Sequence, residues 1–207
     1  FGGGINSDGK LLIVNSYFLS NIAFIGGGVH IEAGQASILD SEFRDNIAEN
    51  DLSNQDSWGG GFHNNGDSII DGTLFFENQS DRGGGLSNHT DLTITNSRII
   101  RNTATKYGAA ITGQTSGSNI VLADSCIYGN TSPSNSGSII YSYSTAIQAY
   151  RNWWGKLAPL ILTEERYLIE IDSMRIPILG CLGGDYQEFD VYHGETVDVT
   201  LNDATGG

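Results

Sequence analysis

A glycine-rich step recurs along the first three-quarters of this 207-residue chain, and each is followed by a short strand-like run ending in apolar-x-x-Asn. The steps are Gly2–Gly4, Gly26–Gly28, Gly59–Gly61 and Gly83–Gly85, continuing in eroded form as Gly108-Ala109-Ala110 and Ser136-Gly137-Ser138. The second signature recurs at Phe18–Asn21, Phe43–Asn46, Phe75–Asn78, Ile99–Asn102 and Ile127–Asn130, and decays into Asn152-Trp153-Trp154-Gly155. Successive steps lie 24, 33, 24, 25 and 28 residues apart. A period in this range marks a solenoid, in which one repeat cannot bury its own apolar face and stacked repeats share a core.

Aligned on the asparagine, the repeats resolve into columns. Ile13, Ile38, Ile70, Ile94, Leu122 and Ile147 form one apolar column, and Phe18, Phe43, Phe75, Ile99 and Ile127 a second. Ile5, Val29, Phe62, Leu86, Ile111 and Ile139 follow the glycine steps as a third. Three apolar columns per turn predict three short strands per coil and about six coils. The glycines fit corners that need positive φ or close approach of the next coil. Asn21, Asn46, Asn78, Asn102 and Asn130 are read as an internal ladder of side-chain amides. Ser16, Ser41, Thr73, Ser97 and Ser125 form a hydroxyl column, while Asn15, Asp40, Gly72, Asn96 and Asp124 vary as a turn position does. Sequons begin at Asn78, Asn88 and Asn130; no glycan is assigned to them, because Asn78 and Asn130 belong to the ladder and sequons are frequent by chance in a Ser- and Asn-rich chain.

The composition narrows function by exclusion. A net charge of −14 argues against a nucleic-acid partner and against an anionic membrane surface. No apolar run reaches the roughly 18 residues of a membrane span, so no membrane insertion by this chain is expected. Phe1-Gly2-Gly3-Gly4 opens in mid-repeat without a signal peptide, which reads as a mature or excised piece of something longer. Cys126 and Cys181 are too few for a disulfide scaffold. Two separate buried thiols are the favoured reading, and a bridge from tail to solenoid the alternative.

The Gly-Gly-Gly-apolar and Phe-x-x-Asn steps resemble the right-handed parallel β-helix superfamily, which includes pectate lyases. They are most similar to the repeats of polymorphic outer-membrane and related secreted bacterial surface proteins. The Asn152-Trp153-Trp154-Gly155 sequence resembles the closing motif of such coils, with Trp153 and Trp154 as an end cap. The expected architecture is therefore an all-β, right-handed parallel β-helix over residues 1–155, followed by a β-rich capping or linker segment over 156–207. The resemblance implies an extracellular or cell-surface location in a bacterium and a non-catalytic role as adhesin, stalk or filament-forming structural subunit. A carbohydrate-active enzyme, lyase or hydrolase, is the alternative. Against it, the chain has no adjacent Asp-Asp pair and no Gly-His-Gly step.

One face concentrates polar chemistry. If Ile5, Val29, Phe62 and Leu86 point inward, the next residues point out, giving Asn6, His30, His63, Ser87 and Thr112. Two residues on, the outward column reads Asp8, Glu32, Asn65, His89 and Gln114. Such a patch could hold a glycan or a protein, with Trp58 or Tyr107 as a stacking platform. It could also hold a transition metal through imidazoles and a carboxylate. No motif specifies a cofactor; calcium is compatible with the acidity but has no dedicated site. The insertion Glu49–Ser57 is read as a surface loop. The acidic tail contains the alternating runs Tyr167–Asp172 and Glu195–Leu201. It could fold over the rod's end, begin a small sandwich, or lend a strand to another copy, and end-to-end self-association is the second partner mode.

Overall fold

The computed structural model describes residues 1–50, 55–115, 117–132, 139–143, 145–155, 161–163, 169–173 and 181. Every strand pairing in it is parallel, and successive rungs of each sheet are contributed by successive repeats. This is a right-handed parallel β-helix, the hand that crossovers between parallel strands of one sheet almost always take.

Four sheets run along the rod, where the apolar columns predict three. The first has seven strands: Ile5–Ser7, Val29–Ile31, Phe62–Asn64, Leu86–Asn88, Ile111–Gly113, Ile140–Ser142 and Ile161–Thr163. The second also has seven, beginning with Lys10–Val14 and ending with Ala146–Asn152 and Ile169–Ser173. The third has five three-residue strands, from Tyr17–Leu19 to Cys126–Tyr128. The additional, fourth sheet comprises Ile22–Ala23, Ile47–Ala48, Gln79–Arg82 and Thr103–Tyr107. About five coils are thus complete, and 161–163 and 169–173 extend the first two sheets by one rung each. The expected strand at Glu195–Leu201 and the step at Ser136–Ser138 lie outside the described residues.

The core is the inward half of each alternating strand. Phe18, Phe43 and Phe75 stack with ring centroids 4.7 Å apart, and Ile99 and Ile127 continue the column. Each fully buried ring or branched side chain contributes about 1.5–3 kcal/mol. Two registers differ from the sequence alignment. Ile140, not Ile139, pairs with Ile111, and Ala149, not Ile147, pairs with Leu122.

Polar columns close the corners. Asn46 Nδ2 donates to Asn78 Oδ1 at 2.9 Å, Asn78 to Asn102 at 2.9 Å, and Asn102 to Asn130 at 3.0 Å, with Asn21 donating to Asn46 at 2.9 Å. The second amide hydrogen reaches the chain itself, as from Asn78 Nδ2 to the Phe43 carbonyl. A hydroxyl ladder runs beside it: the amide of Ser16 donates to Ser41 Oγ, that of Thr73 to Ser97, and that of Ser97 to Ser125. Asn152 does not continue the asparagine ladder. Its Oδ1 accepts from the Ser125 amide at 3.0 Å, so it terminates the hydroxyl ladder instead.

Asn15, Asp40, Gly72, Asn96 and Asp124 all have φ between 46° and 61°, which explains a column that tolerates only turn-forming residues. Ser20, Asp45, Glu77, Arg101 and Gly129 form a second left-handed column at the other end of each third-sheet strand. Trp154 joins the main core, whereas Trp153 packs with Tyr128 around Cys126 and Cys181. Those cysteines form a disulfide with Cα atoms 5.8 Å apart, which corrects the reading as separate thiols. Cys126 points out of its strand, away from the core column of Ile127, and is therefore placed to receive a partner.

Candidate functional site

The outward column on the first sheet has the register expected of it: Asn6 pairs with His30, His30 with His63, His63 with Ser87 and Ser87 with Thr112. Tyr141 extends it by one coil. Its environment differs from the solvated face an outward column implies. His30 and His63 are each 3% exposed, and Ser87 and Thr112 are fully buried.

The glycine corners explain the burial. At Gly83, φ is 69°, and a Cβ there would lie 2.2 Å from the Leu86 carbonyl oxygen and 3.0 Å from Ser87 Cβ. Only glycine lets the chain turn this tightly against the first sheet. The residues just before these corners form a bridged column, Ile25, Trp58, Arg82 and Tyr107. The aromatic members of this column lie over the outer face of the first sheet. The Trp58 ring meets His89 edge-on at 5.7 Å, and Tyr107 stacks on Tyr141 at 4.6 Å. The first and fourth sheets therefore meet at a corner that the protein's own side chains pack.

Rings occupy that corner in an unbroken series. Phe1, His30, His63, His89 and Trp58 follow at centroid separations of 5.3, 5.0, 5.0 and 5.7 Å. The Arg82 guanidinium then lies between Trp58 and Tyr107, 5.0 and 5.1 Å from their centroids. Trp58 and Tyr107, expected as stacking platforms for a ligand, are thus already engaged by protein groups. Arg82 and Lys106 both donate to Asp56, at the returning end of the insertion. Burial raises the Asp56 carboxyl, but the hydrogen bonds from Lys106 and Arg82 outweigh it and hold the group below its ordinary range. Ser57 and Asp81 bond reciprocally, each backbone amide donating to the other's side chain at 3.0 Å. Residues 51–54 of the insertion lie outside the described residues.

The three imidazoles are held neutral at neutral pH. Burial lowers His63 well below the ordinary value, His89 and His30 add to this, and the acceptor that Asn65 offers the ring opposes it. Burial also lowers His30, against the raising effect of Glu32 and with a further lowering by the Phe1 amine. His89 is lowered by burial and by His30. His30 Nδ1 lies 2.6 Å from Asn6 Oδ1, an acceptor, so Nδ1 carries the proton and Nε2 is left as an acceptor. Asp8, Glu32 and Asn65 lie on the more exposed rim. Among the described residues no three His, Cys, Asp or Glu side chains converge as metal ligands; the imidazoles meet ring to ring.

Among the described residues, six buried side-chain nitrogen or oxygen atoms have no hydrogen-bond partner. Five are in this corner: His30 Nε2, His63 Nδ1, Ser87 Oγ, His89 Nε2 and Gln114 Nε2. Leaving a polar atom buried and unpaired costs about 1–3 kcal/mol. Among the described residues the sixth such atom, Trp154 Nε1, lies in the main core, so the corner holds most of the polar atoms that ladders and turns leave unpaired. No protein-family model matches the chain, and comparison with characterised proteins and with solved structures returns no significant match.

Proposed function

We propose that this chain is a non-catalytic, secreted or surface-displayed β-helix of the bacterial outer-surface kind, serving as an adhesin or stalk. The observation that carries this reading is the filled corner. An enzyme that cleaves a polysaccharide needs an open concave site with converging carboxylates, whereas here His30, His63, Ser87, Thr112 and Tyr141 on the outer face of the first sheet are buried. Asp56, at the returning end of the insertion, is committed to Arg82 and Lys106. The disulfide between Cys126 and Cys181 supports an oxidising compartment. In this reading a glycan or a surface protein is contacted through the exposed rim, with Asp8, Glu32 and Asn65 as its polar groups, while His89, expected among them, is packed against Trp58.

The test is to immobilise the protein against arrays of glycans and extracellular proteins while assaying polysaccharides for new reducing ends or unsaturated products. Binding without turnover is expected. Turnover of any polysaccharide that Glu32→Gln abolishes would overturn the reading. Sedimentation across a range of concentrations reports whether copies also associate with one another.

A further inference from the structure

We infer that the stack of His30, His63 and His89 is an acid-triggered latch, which holds the corner between the first and fourth sheets closed at neutral pH and opens it on acidification. This goes beyond the non-catalytic reading and does not depend on it.

The geometry sets up the trigger. Adjacent rings lie 5.0 Å apart, so two imidazolium charges in neighbouring positions would repel by several times the thermal energy even at a moderately high effective dielectric. The groups facing the stack supply little compensation. His30 faces Asn6, Glu32, the Phe1 amine and His63; of these, only Glu32 is an acid. His63 faces His30, His89 and Asn65. His89 faces His63 and Trp58, and the Arg82 guanidinium lies on the far side of Trp58. Asp56 and Asp81 on the fourth-sheet side are engaged by Arg82, Lys106, Ser57 and Thr105. The rings are therefore uncharged because they are enclosed, and enclosure is what protonation attacks.

The structure also favours opening at this corner over unfolding of the rod. The wall over the stack is led by Trp58, which is held to the fourth sheet by a single bridge to Arg82, and that sheet has four strands, two of them only two residues long. The second sheet, on another side of the rod, has seven strands, mostly of four or five residues. Opening also gives water to the five unpartnered atoms, which offsets part of the packing that is lost. Glycines in the left-handed region at Gly59 and Gly83 place the turn where the wall would swing.

The experiment is site-resolved hydrogen–deuterium exchange between pH 7.5 and 5, corrected for the intrinsic pH dependence of exchange. Segments 55–64 and 80–90 are compared with second-sheet segments 67–71 and 92–95. The latch predicts a loss of protection of at least about tenfold in the corner segments, with the second sheet unchanged. His63→Phe keeps an aromatic ring in the stack but cannot take a proton, and should abolish most of that loss. Equal loss in both regions, no loss, or the same corner loss in His63→Phe would each overturn the proposal. If His63→Phe does not fold, nuclear magnetic resonance titration of the wild-type imidazoles decides. Coupled uptake by two or more rings well below pH 6.5 supports the latch, and independent titration near 6.5 refutes it.

Discussion

Asn78 offers the sharpest test of what holds the rod together. Its side chain is fully buried and makes four hydrogen bonds. Oδ1 accepts from the Asn46 backbone amide at 3.0 Å and from Asn46 Nδ2 at 2.9 Å, while Nδ2 donates to the Phe43 carbonyl and to Asn102 Oδ1, both at 2.9 Å. Asn78→Ala removes all four and leaves two donors of Asn46 buried and unpaired. At about 1 kcal/mol per net hydrogen bond, with the added cost of stranded donors, the loss is on the order of 4–6 kcal/mol. Asn21 provides the internal control, because its side chain lies at the end of the ladder and makes one such bond, to Asn46 Oδ1. Asn21→Ala should cost about 1 kcal/mol. Urea unfolding of both variants, followed by circular dichroism and compared through midpoint and slope, reads the difference directly. If the two variants lose the same stability to within about 1 kcal/mol, hydrogen bonding along the ladder is not what stabilises the stack, and the argument fails.

Three further outcomes follow from the same geometry. Cys181→Ser removes a cross-link spanning 55 residues and should cost about 4 kcal/mol in oxidising buffer; wild type and variant should converge when reductant is added. His30, His63 and His89 are all held below the ordinary histidine value in the folded chain, so the unfolded chain binds more protons as pH falls. Stability is then fully present above about pH 6.5 and falls below it, by up to about 1.4 kcal/mol per pH unit for each histidine. Urea midpoints that stay constant from pH 7.5 to 5 would contradict this. Asn88 is fully buried, and its Oδ1 already accepts from Asn64 at 2.7 Å; expression through a eukaryotic secretory pathway should leave its sequon unmodified in the folded protein by mass spectrometry.

How much of this was legible in the sequence depends on what each element buries. The three long columns were readable because Phe43, Ile38 and Val29 and their equivalents are large and apolar. The fourth sheet was not, because its inward column is Ala23, Ala48, Ser80 and Ala104, residues too small to register as a hydrophobic period. The two register slips, at Ile140 and Ala149, follow connections of irregular length, where counting back from the asparagine no longer tracks the coil. Asn152 was misplaced for the same reason, since an amide can end the hydroxyl ladder as well as continue its own. The disulfide had no sequence signal at all, because spacing along the chain says nothing about the Cα separation that decides a bridge.

The direction of the histidine column was readable, but its burial was not. Alternation along a strand specifies which way His30 and His63 point; it carries no information about whether the neighbouring corner folds over them. That depends on Trp58, Arg82 and Tyr107, which precede the glycine steps; the sequence offered Trp58 and Tyr107 as platforms for a ligand and gave no sign that they pack on the protein itself. Once the asparagine and hydroxyl ladders have absorbed the polar residues at the other corners, the unpaired ring nitrogens in this corner are what stability alone does not explain. A structural rod would gain by replacing them with valine or threonine, as an apolar or satisfied column carries no desolvation cost. Their retention of titratable chemistry in an enclosed site is why the corner, and not either ladder, is where a response to the surroundings should be sought.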